Sequence, residues 1–426
     1  MRETSVKMVG RLATALLLSG LLLAVVANAQ ERSASREPSN SCVRCHAELD
    51  SVLAQPAKAS IEDVHARHGY TCADCHGGDP EAQEPELAMS PAKGFVGVPD
   101  PMDVPKLCGK CHADVALMRV DKPGLRTDQL KLYWTSRHGT LLRKGDKSVA
   151  VCSSCHTAHG VLPPSDPRSS VHPTRVAATC GVCHSNAQLM ARYGLPADQE
   201  SEWRTSVHAA AMFEKNDLSA PTCNDCHGNH GALPPQVNSV SRVCGQCHVA
   251  NDKYFRLSPH REAFAELGLG QCEVCHASHA VIPTLDTMLG VENDAVCGSC
   301  HEKGGAGYRA VLRIRRAIDS LRTGIANVAL LLARVEKTGI PVDEADFSLR
   351  EARNALVQSR TEIHKFSVEP VLNVVGSGLR KLAGPQRFGQ DALQEIRKRR
   401  VGLLAFLAVG LVVVVGLVLT IRSNEG

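Results

Sequence analysis

Apolar positions fall into three blocks with a long polar stretch between the first two. Leu12 to Val26 is an apolar run behind Arg2, Lys7 and Arg11, closed by Ala27-Asn28-Ala29. A basic start, a short apolar run and a small-x-small end predict an export signal over 1–29, cleaved before Gln30. From Gln30 to about Gly305 the chain is rich in Gly, Pro, Ser and Asp. Helical periodicity sets in after Gly307: Val311, Leu312, Ile314, Ile318, Leu321 and Ile325 recur mostly at three- and four-residue steps. Gly339 and Pro341 break that helix. Asp343 is placed to cap the next, which runs toward Val368 with the stripe Leu349, Ala352, Leu356 and Ile363. Val401 to Ile421 is apolar except for Thr420 and long enough to cross a bilayer. These boundaries predict a signal at 1–29, a main domain at 30–305, a helical hairpin or stalk at 306–396, a membrane anchor with basic flank at 397–421, and a tail at 422–426.

The polar block carries the chemistry. Cys-x-x-Cys-His occurs nine times and uses all 18 cysteines. The thiols are Cys42, Cys45, Cys72, Cys75, Cys108, Cys111, Cys152, Cys155, Cys180, Cys183, Cys223, Cys226, Cys244, Cys247, Cys272, Cys275, Cys297 and Cys300. The histidines are His46, His76, His112, His156, His184, His227, His248, His276 and His301. The spacing is that of c-type haem attachment, with two thioethers to one haem and the following histidine proximal on the iron. Structural zinc takes four ligands, so an odd number of thiol pairs does not divide into such sites. Nine disulfides across two intervening residues would close only tiny loops and stabilise little. The cofactor reading is therefore nine haem c groups.

A repeat orders the motifs. The phrase aromatic-x-x-Ser-x-His appears at Tyr133–His138, Trp203–His208 and Phe255–His260. Each is followed by a motif with a further histidine three residues on (His159, His230, His279) and then by a closing motif. A degenerate copy precedes them. His65 leads it, Cys72–His76 and Cys108–His112 follow, and Gly77-Gly78-Asp79-Pro80 replaces the post-motif histidine. Cys42–His46 stands alone in front.

Nineteen histidines leave ten beyond the motifs. Distal ligand candidates are His65, His138, His159, His172, His208, His230, His260, His279 and His364; His68 is the spare. Methionines are few, and no recurring methionine ligand is expected within the copies. The expectation is bis-histidine ligation with low potentials.

The formal charge is +4 and signal removal leaves +2. Two propionates per haem, ionised near ordinary carboxylate values, would add roughly −18 across nine haems. Nothing points to nucleic acid. Aromatics are only 4%, so the expected fold is a multihaem cytochrome c fold, mostly helix and loop with little sheet, in which haems form the core. Arg397, Lys398, Arg399 and Arg400 lie on the haem side of the anchor, against the positive-inside bias, but long exported domains override that bias. Export then places the haem region in the periplasm, held on the inner membrane by lipid around the C-terminal helix.

The Ser-x-His…Cys-x-x-Cys-His-x-x-His…Cys-x-x-Cys-His phrase, with Cys75-His76-Gly77-Gly78-Asp79-Pro80, resembles the doubled-motif multihaem cytochromes c of anaerobically respiring bacteria. The resemblance covers about Ser41 to Glu302 and, less specifically, the anchored tail. It implies an electron carrier between a cytochrome b or other quinone-reactive subunit of the inner membrane and periplasmic redox partners. The alternative is a nitrite, hydroxylamine or sulfur-oxyanion reductase with one open haem iron.

Overall fold

The computed structural model describes residues 40–234, 240–292 and 295–424. The export signal expected at 1–29 lies outside them, as do the last two residues of the tail. The protein is mostly helical, with no strand among the described residues. It divides into two compact units: the chain up to Cys183 together with Thr222–Leu233, and His184–Pro221 together with the chain from Pro234 onward.

In the first unit most helices are short, and each motif sits on or at the end of one. Two kinds alternate. The first motif of a copy forms a one-turn helix, as in Cys72–His76 and Cys152–His156. Its start is closed by a side chain inside the motif reaching back: Asp74 accepts from the Thr71 amide at 2.6 Å and Ser154 from the Val151 amide at 3.0 Å. Such a back-reaching side chain satisfies an amide that so short a helix leaves unpaired. Closing motifs instead end longer helices, Val104–His112 and Pro173–His184.

The Ser-x-His phrase also has a local cause. Ser136 is buried, accepts from the Gly139 amide at 2.9 Å and donates to the Tyr133 carbonyl at 2.6 Å. One hydroxyl thus ends the helix Gln129–Thr135 and starts Arg137–Arg143, which carries His138. In the second unit Ser206 caps Val207–Glu214 in the same way, through the Ala209 amide at 3.1 Å. The aromatic of the phrase is the local core: Tyr133, Trp203 and Phe255 are all buried.

The second unit also holds the tail. Its helices are Ala306–Glu336, Asp343–Glu362 and Val368–Asn424. Buried positions step alternately by four and three in each: Ile314, Ile318, Leu321, Ile325, Val328 and Leu332 in the first; Ala345, Leu349, Ala352 and Leu356 in the second; Val371, Val375, Gly378, Leu382, Pro385 and Gly389 in the third. That average of 3.5 residues is the seam of a coiled-coil-like bundle. The expected hairpin is therefore two-thirds of a three-helix bundle, completed by the lower part of the third helix. Asp343 is the first residue of its helix rather than the cap before it. Pro370 lies in the opening turn of the third helix, where a missing amide costs nothing. The upper part of the third helix is long and apolar enough to cross a membrane, with mean hydropathy 3.0 over its most apolar window and none of that window buried.

Candidate haem sites

The histidines are brought together in pairs, each joining one motif histidine to one other. In the first unit the ring centres of His65 and His112 are 6.0 Å apart, those of His76 and His159 6.0 Å, and those of His156 and His230 6.1 Å. In the second unit His208 and His248 are separated by 6.5 Å, His260 and His301 by 5.9 Å, and His276 and His364 by 6.2 Å. Imidazole nitrogens about 2 Å from a metal on opposite sides put the ring centres roughly 6 Å apart. The spacing therefore fits two rings sharing one iron with a flat macrocycle between them. Direct coordination of an ion by the protein alone does not fit. Among the described residues no three His, Cys, Asp or Glu side chains converge on a common point, and no disulfide joins any of the 18 cysteines.

The pairs obey a register. A leading histidine meets the closing motif of its own copy, as in His65–His112, His208–His248 and His260–His301. A post-motif histidine meets the first motif of the copy before it, as in His159–His76 and His230–His156. The planes differ accordingly: 18° and 5° for the post-motif pairs, 34° to 83° for the leading pairs. A backbone latch keeps neighbouring copies in step. The amide just before the leading histidine donates to the carbonyl two residues past the next copy's post-motif histidine. The three latches are Val64 to Val161 at 2.9 Å, Arg137 to Ala232 at 3.0 Å and Val207 to Val281 at 3.0 Å. The last copy has no successor, and its equivalent residue is Pro259, which has no amide hydrogen.

Where a following copy would supply the partner of His276, the tail supplies His364. It sits in a 3₁₀ turn, Ile363–Lys365, ended by Phe366 in the left-handed conformation. Phe366 stacks on His260 with ring centres 3.8 Å apart, and Lys365 lies over the Tyr254 ring at 4.3 Å. Arg360 donates twice to Asp286, both at 2.9 Å, welding the bundle to the chain just past the last copy's first motif. The tail thus closes the array as a terminal cap closes other repeat proteins.

The ring nitrogens are prepared for ligation. The Nδ1 of His46 bonds the Leu53 carbonyl at 3.1 Å, that of His76 the Val96 carbonyl at 3.0 Å, and that of His364 the Thr361 carbonyl at 3.1 Å. A carbonyl partner fixes the proton on Nδ1 and leaves Nε2 bare for a metal. Burial holds His112, His156, His276 and His364 below the ordinary imidazole value, which keeps them in the neutral, ligating form.

His138 lies in the first turn after its Ser136 cap, and His279 faces Glu202 at 3.5 Å. They hold the leading and post-motif positions of their copies. His184 ends the helix Pro173–His184, and the Nδ1 of His227 bonds the Leu233 carbonyl at 3.3 Å. His172 is buried at the start of that same helix, where its Nδ1 takes the Thr174 amide at 3.3 Å. His68 is exposed at the end of Val64–Arg67. Two methionines do recur, six residues past closing motifs: Met118 and Met190. Both are buried in the helices Val115–Asp121 and Ala187–Ala191, where they fill the core.

Attachment thiols of successive motifs adjoin. The sulfurs of Cys108 and Cys152 share a hydrogen bond, as do those of Cys180 and Cys223, and of Cys244 and Cys272. Cys42 and Cys72, Cys75 and Cys108, Cys155 and Cys183, and Cys275 and Cys297 interact electrostatically. The motifs therefore form two unbroken files, from Cys42 to Cys223 in the first unit and from Cys244 to Cys297 in the second.

The residue after each first motif has a positive φ, which strains the chain where that residue is not glycine. Gly77, Thr157, Gly228 and Ala277 have φ of 69°, 68°, 83° and 62°, and ψ is 164° at Thr157 and 172° at Ala277. That region belongs almost wholly to glycine and costs other residues about 1–3 kcal/mol. The kink turns the chain so that the histidine two residues on points away from its own motif, toward the preceding copy. Ala277→Gly is expected to raise holoprotein stability by about 1 kcal/mol after the added freedom of the unfolded chain is counted. Thermal unfolding followed by helical signal checks this.

Residues 64–185 match the model of the Cytochrome c3 family. No curated protein and no solved structure matches the chain. The match covers under a third of the chain; with the helical fold and the motif sites it supports a multihaem cytochrome c with covalent haem c, and multihaem electron transfer as its activity.

Proposed function

We propose that the protein is a nine-haem relay on the periplasmic face of the inner membrane, carrying electrons between a quinone-linked membrane module and periplasmic acceptors. Reversible one-electron chemistry is what haem c supplies when bound. The chain supplies spacing and tuning. The observation that carries this reading is the set of six histidine pairs about 6 Å apart, lined up along the two files of adjoining thiols. Histidine on both sides keeps potentials low relative to methionine ligation. The bundle and its apolar helix, Val401 to Ile421, would hold the last copy close to lipid, and the basic cluster from Arg397 to Arg400 would meet anionic headgroups.

The test is on full-length protein extracted from membranes. A pyridine haemochrome assay with intact mass should give nine haems and a chain starting at Gln30. Electron paramagnetic resonance of the oxidised protein should give two families of low-spin signal, from near-parallel and crossed imidazoles. A haem-free mass ends the proposal. So does recovery of the protein in the soluble fraction, or failure of a quinol-oxidising membrane fraction to reduce it.

A further inference from the structure

The pairing register leaves one motif unserved. The lone first motif, Cys42–His46, precedes the degenerate copy, so its partner should come from that copy's post-motif position. That position is 79, and it holds Asp79. The segment is in place: the Ser41 amide and hydroxyl both donate to the Pro80 carbonyl, at 2.8 and 3.0 Å, and Arg44 bonds Gln83. Asn40 accepts from the Cys42 amide at 3.0 Å and bonds the Cys72 thiol, joining the two motifs. The geometry of a following copy is thus kept while its ligand is lost. Asp79 is turned elsewhere, paired with Lys93 and accepting from the Glu81 amide at 3.0 Å.

No other histidine takes its place. All nineteen lie among the described residues, and no ring faces His46. Of the two outside the repeat, His172 is buried with its Nδ1 against the Thr174 hydroxyl at 2.8 Å and the Thr174 amide at 3.3 Å, and His68 ends a helix in solvent; neither ring is placed against that of His46. His46 itself is set as a proximal ligand, with Nδ1 on the Leu53 carbonyl. We infer that the first motif binds its haem through His46 alone, leaving one axial position of that iron for a small exogenous ligand: a diatomic such as carbon monoxide, or an anion such as cyanide.

This rests on haem occupancy of the motif, so haem is counted first; fewer than nine haems fails that reading and not this one. In nine-haem protein, the oxidised spectrum should contain a high-spin ferric signal worth about one haem. Carbon monoxide should shift the Soret band of about one-ninth of the reduced haem, in line with a single open iron. Cys42→Ala with Cys45→Ala should remove one haem and both signatures together. Should that variant not mature, Asp79→His replaces it and is expected to convert the high-spin signal to low-spin. A wholly low-spin nine-haem protein overturns the inference. So does a high-spin signal that persists in the eight-haem variant, or one that Asp79→His leaves unchanged.

Discussion

Protein made without haem attachment is expected to lose its structure from residue 40 to about 305 while the three-helix bundle stays folded. Apart from Pro105, the buried hydrophobic side chains larger than alanine among the described residues between Asn40 and Gly305 are Met118, Tyr133, Leu142, Val151, Met190, Trp203, Met212, Phe255 and Phe264. Each contributes about 1.5–3 kcal/mol, whereas ordering costs about 1–2 kcal/mol for every residue's backbone. So sparse a core cannot hold that length of chain, and the missing apolar surface is that of the macrocycles. The tail packs twelve such side chains, from Ile314 to Leu382, into 69 residues. Hydrogen exchange on the apoprotein checks the expectation. Amides of Ala306–Glu336 should stay protected while those of Arg137–Arg143 and Val207–Glu214 exchange freely. Cooperative unfolding of the haem region without haem would contradict it.

His364→Ala has the second largest expected effect. His364 is the only ligand candidate outside the haem region, and its ring faces His276 at 6.2 Å. Its loss should convert one low-spin haem to high-spin. The potential of that haem should rise by on the order of 100 mV, within the span that axial ligands set. The tail would also lose one of its holds on the last copy and keep the Arg360–Asp286 pair and the Phe366 stack. Redox titration with optical and paramagnetic detection reads both changes. An unchanged titration curve would mean that His276 draws its partner from elsewhere. If the first motif carries an open iron as inferred, the high-spin signal should double from one haem to two.

The motif count, the cofactor and the class of protein were all legible in the chain, because thioether attachment demands two cysteines and a histidine in one short run. The repeat was legible too, since each copy restates the same aromatic, serine and histidine positions for local reasons: a capping hydroxyl, a buried ring. Its strained turn was half legible. Gly77 and Gly228 advertise a positive φ, whereas Thr157 and Ala277 hide the same conformation.

Which histidine faces which motif was decided only in three dimensions. His159 and His76 are 83 residues apart, and nothing near either one names the other. Their meeting depends on latches such as Val64 to Val161, formed only when copies stack. The third helix of the bundle was likewise obscured, because its seam uses glycine and proline at 378, 385 and 389, where close approach replaces bulk. Local chemistry wrote the sites, and the stacking of copies chose their partners, because an axial pair is a contact between chain segments that no short stretch of sequence contains.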